Sequence, residues 1–170
     1  YAWGAGTYGP LGLGDKNNRN EPTLIKGALS SVSVKAIAAC AYHSIALANN
    51  GELYTWGTNV VGANKGLLGQ NRLDSVVLTS PTIISTCSPA PCPEFISVKC
   101  GRYHSMALTS AKKLYVWGAN EKNQLGSGET GNAILEPTLH DQLSSKLVTS
   151  FDVGEVHSVM SDDQGRVYTW

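Results

Sequence analysis

The sequence has little charge and no excess of either sign. Charged residues make up 15% of the 170 residues, against about 25% in an average soluble domain, and 13 basic side chains balance 13 acidic ones. Nucleic acids and anionic membranes mainly attract proteins with a surplus of Lys and Arg. The charge balance therefore argues against either as a direct partner of these residues.

Long apolar runs are also missing. A membrane-spanning helix needs about 18 consecutive apolar residues, and no stretch of the chain provides them. The sequence has no N-x-Ser/Thr acceptor, no signal-peptide order at its start, and only four Cys, an ordinary number for a reduced protein. These absences predict an intracellular protein, nuclear or cytoplasmic.

Glycine and tryptophan are plentiful by comparison. The chain has 18 Gly and 4 Trp, and 42% of its residues are hydrophobic, enough for a core. This balance is rich in turn formers and poor in helix formers, so it favours an all-β protein.

An internal repeat organises the whole chain. Trp3, Trp56, Trp117 and Trp170 lie 53, 61 and 53 residues apart, which defines repeat units of approximately 3–55, 56–116 and 117–169. The same short words recur in each unit: Tyr1-Ala2-Trp3-Gly4, Tyr54-Thr55-Trp56-Gly57 and Tyr115-Val116-Trp117-Gly118; Leu11-Gly12, Leu68-Gly69 and Leu125-Gly126; Pro22-Thr23, Pro81-Thr82 and Pro137-Thr138; His43-Ser44, His104-Ser105 and His157-Ser158.

The segment from each His to the next Trp has a constant length and predicts a β-hairpin. In the first unit, Ser44-Ile45-Ala46-Leu47 and Leu53-Tyr54-Thr55-Trp56 flank Asn49-Asn50-Gly51, and Asn-Gly is a strong hairpin-turn signal. The second unit has Ala111-Lys112-Lys113 instead, so its turn is expected to be of another type. Two further extended segments, Thr23–Ile25 and Val34–Ala38, complete four short strands per unit, which is typical of a propeller blade.

These words resemble the regulator-of-chromosome-condensation repeat. The resemblance rests on Tyr-x-Trp-Gly, on Leu-Gly-x-Gly at residues 11–14 and 125–128, on Glu-Pro-Thr, and on His-Ser-x-Ala-Leu at residues 43–47 and 104–108. It covers essentially the whole chain. It implies a seven-bladed β-propeller, of which residues 1–170 would form one part, about three four-stranded blades.

The repeated His and Trp side chains are expected to be structural. His43, His104 and His157 occupy the same slot of successive blades, so a propeller would hold them apart around a ring. The aromatic side chains at the start of the units are expected to pack between blades: Trp3, Trp56 and Trp117. No nucleophile, base and acid form a recognisable motif, so we expect no catalytic residues, no metal site and no cofactor.

The cysteines fall into two groups. Cys87 and Cys92 flank a proline-rich loop in the longest unit, where they could be free thiols, a loop disulfide or two ligands of a metal. Cys40 and Cys100 precede the His-Ser words and are expected to be buried small hydrophobic residues.

The variable loops are the expected place of function. A rigid scaffold with changing loops is typical of binding proteins, so the chain is predicted to be a non-enzymatic interaction scaffold that docks a protein partner through residues 59–66 and 85–93. The candidate partner-binding residues are Asn59, Val60, Val61, Asn64, Lys65, Leu67 and Leu68.

An alternative follows from the resemblance. Family members that exchange guanine nucleotide on a nuclear-transport-type small GTPase carry a protruding wedge after a Trp-Gly, and residues 59–69 look similar. The positions before the His, acidic in those exchange factors, hold Ala41-Tyr42, Arg102-Tyr103 and Glu155-Val156 here. Chromatin is a further candidate partner, through parts of the protein outside these residues.

Overall fold

The computed structural model describes residues 1–128 and 131–170. These residues form thirteen β-strands and two single turns of 3-10 helix, Gly27–Leu29 and Asp141–Leu143. The described part contains no helix long and apolar enough to cross a membrane. The strands are β1 (Ala2–Gly4), β2 (Arg19–Thr23), β3 (Val34–Ala39), β4 (His43–Ala48), β5 (Leu53–Thr58), β6 (Val77–Ile83), β7 (Phe95–Cys100), β8 (His104–Thr109), β9 (Leu114–Gly118), β10 (Ile134–Leu139), β11 (Val148–Val153), β12 (Ser158–Asp162) and β13 (Val167–Thr169).

The strands form four antiparallel sheets in chain order. Two sheets are complete four-stranded blades, β3–β6 and β7–β10, and they are flanked by the two-stranded sheet β1–β2 and the three-stranded sheet β11–β13. The first strand of each later sheet contacts the one before it, β7 with β3 and β11 with β7. This arrangement confirms the all-β fold and the partial propeller. The Trp word lies on the third strand of a blade, so each complete blade takes its strands from two successive sequence units.

The predicted hairpin of the first unit is confirmed. Strands β4 and β5 pair from His43 opposite Gly57 to Leu47 opposite Leu53, and Gly51 turns the chain with a φ of 86°. The expectation of a different turn in the second unit is wrong. Lys112 takes the glycine position with a φ of 62° and donates its backbone N–H to the Thr109 carbonyl oxygen, as Gly51 does to Ala48.

The Pro-Thr words lie on the outermost strand of three of the four sheets. Pro22, Pro81 and Pro137 occupy β2, β6 and β10, and an edge strand tolerates the missing N–H of proline. In the first unit this strand ends at Thr23, so the extended segment expected at residues 23–25 is displaced toward the N-terminus.

The core lies between the sheets rather than within one. Ile45 and Leu47 alternate with Ala46 and Ala48 along β4, and the two sets bury against opposite neighbours. The first set packs with Phe95, Val98, Tyr115 and Trp117 of the next blade. Each blade therefore completes its core only with the adjacent one.

The glycine of each Leu-Gly word packs against the Trp of the next sheet. A Cβ atom on Gly69 would lie 2.9 Å from Cδ1 and Nε1 of Trp117, and Gly12 and Gly126 face Trp56 and Trp170 in the same way. Only glycine leaves room for the indole at this point. Trp56 also donates its Nε1 hydrogen to the Pro10 carbonyl oxygen at 2.7 Å, which fixes the ring across the blade boundary.

Candidate functional site

Each buried His links its own blade to the next. His43 Nε2 lies 2.8 Å from Ser105 Oγ, and His104 Nε2 lies 3.0 Å from Ser158 Oγ. The third ring, His157, is exposed, since no further His-Ser word follows it in this chain. The three rings occupy three successive blades and do not converge on one site.

Burial holds the two inner rings in the neutral form. Removal from water, and secondarily the charge of His104, lowers the pKa of His43 to about 3. Burial, and secondarily the charge of His157, lowers the pKa of His104 to about 4. A charged imidazole at either boundary would lose its solvation by water. Among the described residues, no carboxylate lies within hydrogen-bonding distance of either ring to replace it.

The Trp residues differ in exposure. Trp56 and Trp117 are buried between blades, whereas Trp3 is 60% exposed. No Leu-Gly word precedes Trp3 in this chain to cover it.

The loop at residues 59–69 emerges on one end of the sheets. Thr58 donates its backbone N–H to the Tyr42 carbonyl oxygen at 3.0 Å, so the loop leaves β5 beside the β3–β4 connection. Since β4 and β8 both start at this end, the loops carrying Tyr42 and Tyr103 lie there too. We call this end the loop face.

The seven candidate residues of this loop have different surroundings. Leu67 and Leu68 are fully buried. The buried Asn59 braces the loop from within: its Nδ2 donates to the carbonyl oxygens of Arg72 at 2.9 Å and Asp74 at 3.1 Å, and its Oδ1 accepts from the Leu68 N–H at 3.3 Å.

The outer part of the same loop is a tight hairpin. Val61 and Asn64 exchange backbone hydrogen bonds of 2.9 and 3.1 Å. Val60, Val61 and Asn64 are half-buried and Lys65 is exposed. These four side chains are the ones that a partner could reach.

An aromatic and charged cluster on the loop face was missed at the sequence level. The rings of Tyr42 and Tyr103 stack with their centroids 5.5 Å apart, and Tyr8 meets Tyr42 edge-on at 5.0 Å. The Arg102 guanidinium lies 5.1 Å from the Tyr103 centroid and pairs with Glu155. We call these five residues the tyrosine cluster. The paired aromatic positions 42 and 103 were the sequence signal that could have predicted it.

Electrostatics tie the cluster together. Hydrogen bonding from Arg102 to the Tyr42 hydroxyl, at 3.5 Å, lowers the pKa of that phenol. Burial raises the pKa of Tyr103. Glu155, the single acidic residue among the positions before the three His, is already engaged by Arg102. The cluster therefore presents aromatic surface and a neutralised ion pair.

All four cysteines are paired in the structure. Cys87 and Cys92 form a disulfide across their loop, with Cα atoms 5.0 Å apart. Cys40, which directly follows β3, and Cys100 at the end of β7 form a second one, with Cα atoms 5.8 Å apart. The expectation that Cys40 and Cys100 are simply buried hydrophobic residues is wrong, because both are half-buried and they meet across the blade boundary.

The family model of the regulator of chromosome condensation (RCC1) repeat matches residues 1–47, 50–108 and 113–161. Among curated relatives, protein pim1 of Schizosaccharomyces pombe is 30% identical over 100% of this chain and 32% of its own length. The mitochondrial RCC1 domain-containing protein RUG3 of Arabidopsis thaliana is also 30% identical, over 100% of this chain and 37% of its own length.

A solved structure shares the fold. Yeast RCC1 (Prp20), in its crystal structure bound to Kap60, aligns with a TM-score of 0.75 and 23% identity over 93% of this chain and 37% of that one. The chain thus spans about a third of the length of these proteins.

The buried imidazoles predict a pH-dependent stability. Their folded-state pKa values lie below the ordinary value of 6.5, so the unfolded chain binds more protons below pH 6.5. Stability is fully present above about pH 6.5 and falls toward pH 4, with a slope that rises to about 1.4 kcal/mol per pH unit for each His. Denaturant unfolding at pH 5 to 6.5 should show this slope. The variant His43→Gln should show a slope that is smaller by the contribution of one His. An unchanged slope would contradict the lowered pKa of His43.

Proposed function

Because the chain belongs to the regulator of chromosome condensation repeat family, we propose that it acts as a non-enzymatic scaffold that binds a protein partner through its loop face. The tyrosine cluster carries this proposal. Tyr and Arg are enriched among the residues that dominate binding energy at protein interfaces. Here three Tyr and one Arg meet at the surface, where Tyr8 and Arg102 are exposed and Tyr42 and Tyr103 are half-buried.

The outer hairpin of the 59–69 loop extends the same surface. Its half-buried valines and exposed Lys65 belong to the same loop face, because the loop base is bonded to Tyr42 through Thr58 and is held in place by Asn59. A preorganised loop loses little conformational entropy on binding, which favours it as a contact segment. The Cys87–Cys92 loop, which was also expected to contact a partner, is a candidate binding segment separate from the loop face.

The relatives support a protein partner. Yeast RCC1 is bound to Kap60 in its crystal structure. We also infer that residues 1–170 are part of one larger propeller, because the chain spans about a third of its relatives. An intracellular location stays part of the proposal; one relative, RUG3, is mitochondrial by name.

Binding through the loop face is testable with matched variants. Tyr42→Ala and Arg102→Ala should each lower the affinity for a purified partner roughly thirtyfold, since hot-spot residues contribute about 2 kcal/mol or more to binding. Lys112→Ala is the control, because this exposed cation lies in the β8–β9 turn at the opposite end of the sheets. Titration calorimetry with a partner recovered by crosslinking gives the affinities. Equal affinities for all three variants would refute the loop face.

Guanine-nucleotide exchange is the second candidate function. The observation that favours it is the hairpin closed by Val61 and Asn64, which follows a Trp-Gly as the wedge of the exchange factors does. A wedge promotes release by binding the nucleotide-free GTPase more tightly than the loaded one. The engagement of Glu155 by Arg102 weighs against it, because no acidic side chain before the His words is left free among the described residues.

Nucleotide release separates the two functions. For a scaffold, the protein should not accelerate release of labelled GDP from any member of a panel of small GTPases. If one is accelerated, deletion of residues 60–65 should abolish that activity while the unfolding midpoint is retained, because Asn59, Leu67 and Leu68 stay in place. Acceleration that survives the deletion would exclude the wedge.

A further inference from the structure

Three metal-binding side chains meet at the boundary between the two complete blades. One sulfur of Cys40, one sulfur of Cys100 and one ring nitrogen of His43 lie within 4.8 Å of one another. Two Cys and one His are a known ligand set for zinc, which keeps its fourth position open when three protein side chains bind it. The sequence predicted no metal site, because Cys100 lies 60 positions from Cys40 and both were expected to be buried hydrophobic residues.

Cys40 occupies a slot that the other two units fill with glycine. The residue three positions before the His is Gly101 in the second unit and Gly154 in the third. A Cβ on Gly101 would lie 2.8 Å from Cε1 of His104, and one on Gly154 would lie 2.5 Å from Nδ1 of His157. A side chain at this repeat position therefore points toward the His ring of the same unit, and only the first unit has a sulfur there.

The imidazole of His43 has one nitrogen held and one without a partner. It is fully buried, its Nε2 is held by Ser105 Oγ at 2.8 Å, and its Nδ1 has no hydrogen-bond partner among the described residues. Ser105 lies directly opposite Cys100 in the register of β7 and β8. A ligating His typically has its second nitrogen fixed in this way.

The site opens to solvent. Cys40 and Cys100 are half-buried, and they border a depression of about 490 Å³ on the inner edge of the blades, together with Gly101, Val153 and Gly154. A metal ion or a small thiol can therefore reach both sulfurs.

We propose that Cys40, Cys100 and His43 form a redox-gated zinc site. In the oxidised state the two sulfurs share a disulfide bond and offer no thiolate. Two molecules of a small thiol such as glutathione supply two electrons, break this bond, and leave two protein thiols and one glutathione disulfide. Zinc then displaces one proton from each thiol and binds both sulfurs and the imidazole. A disulfide oxidant reverses the reaction and releases the ion.

The test measures zinc in a protein that lacks the second cysteine pair. In the Cys87→Ser/Cys92→Ser protein, reduced and desalted without oxygen, a chromophoric chelator should report one tightly bound zinc per chain, and the oxidised protein should retain none. Cys40→Gly and Cys100→Ala, which copy the residues of the equivalent slots in other units, should lose the bound zinc. Circular dichroism checks that each variant is folded.

Two further measurements separate a site from adventitious thiol binding. Cobalt in place of zinc should give a thiolate charge-transfer band that disappears in Cys40→Gly. Ser105→Ala should weaken zinc affinity by about 10- to 100-fold, because it removes the group that orients the imidazole. Absence of zinc from the reduced protein, or an affinity unchanged by Cys40→Gly or Ser105→Ala, would overturn the proposal.

Discussion

The contact between one blade and the next is the constraint on which the rest of the structure depends. A four-stranded sheet with two apolar faces has no core of its own, so it must bury both faces against neighbours. The Leu-Gly word makes this possible, because Gly69 leaves space for the Trp117 indole. The His-Ser pairs add polar links across the same boundaries, such as His43 to Ser105. Segments outside these contacts are free to vary.

The framework could be predicted from the sequence because it repeats. The constant distance from each His to the next Trp predicts the hairpin, and the structure has it in register. The turn at Lys112 could not be predicted from residue type, since flanking backbone hydrogen bonds hold a lysine in a left-handed conformation that glycine usually takes.

The candidate sites were harder to predict than the fold. Sequence position placed Asn59, Leu68 and Lys65 in one loop, but a loop's hydrogen bonds decide which of its side chains turn inward. The Tyr42–Tyr103 stack and the disulfide between Cys40 and Cys100 join residues about 60 positions apart. Cys40 lies three positions before the His of its unit and Cys100 lies four positions before its own, so the repeat alone does not align the two Cys.

The most direct measurement of blade-to-blade packing compares the unfolding free energies of alanine variants at two glycines of one loop. Gly62 and Gly69 both have left-handed φ values, 60° and 66°, but a Cβ on Gly62 would meet nothing within 4 Å, whereas one on Gly69 would meet Trp117. Each alanine variant should lose about 1 kcal/mol of unfolding free energy from the backbone conformation. Gly69→Ala should lose roughly 1–3 kcal/mol more through the clash with the indole. Equal losses in denaturant unfolding would contradict the claim that blade-to-blade packing governs this fold.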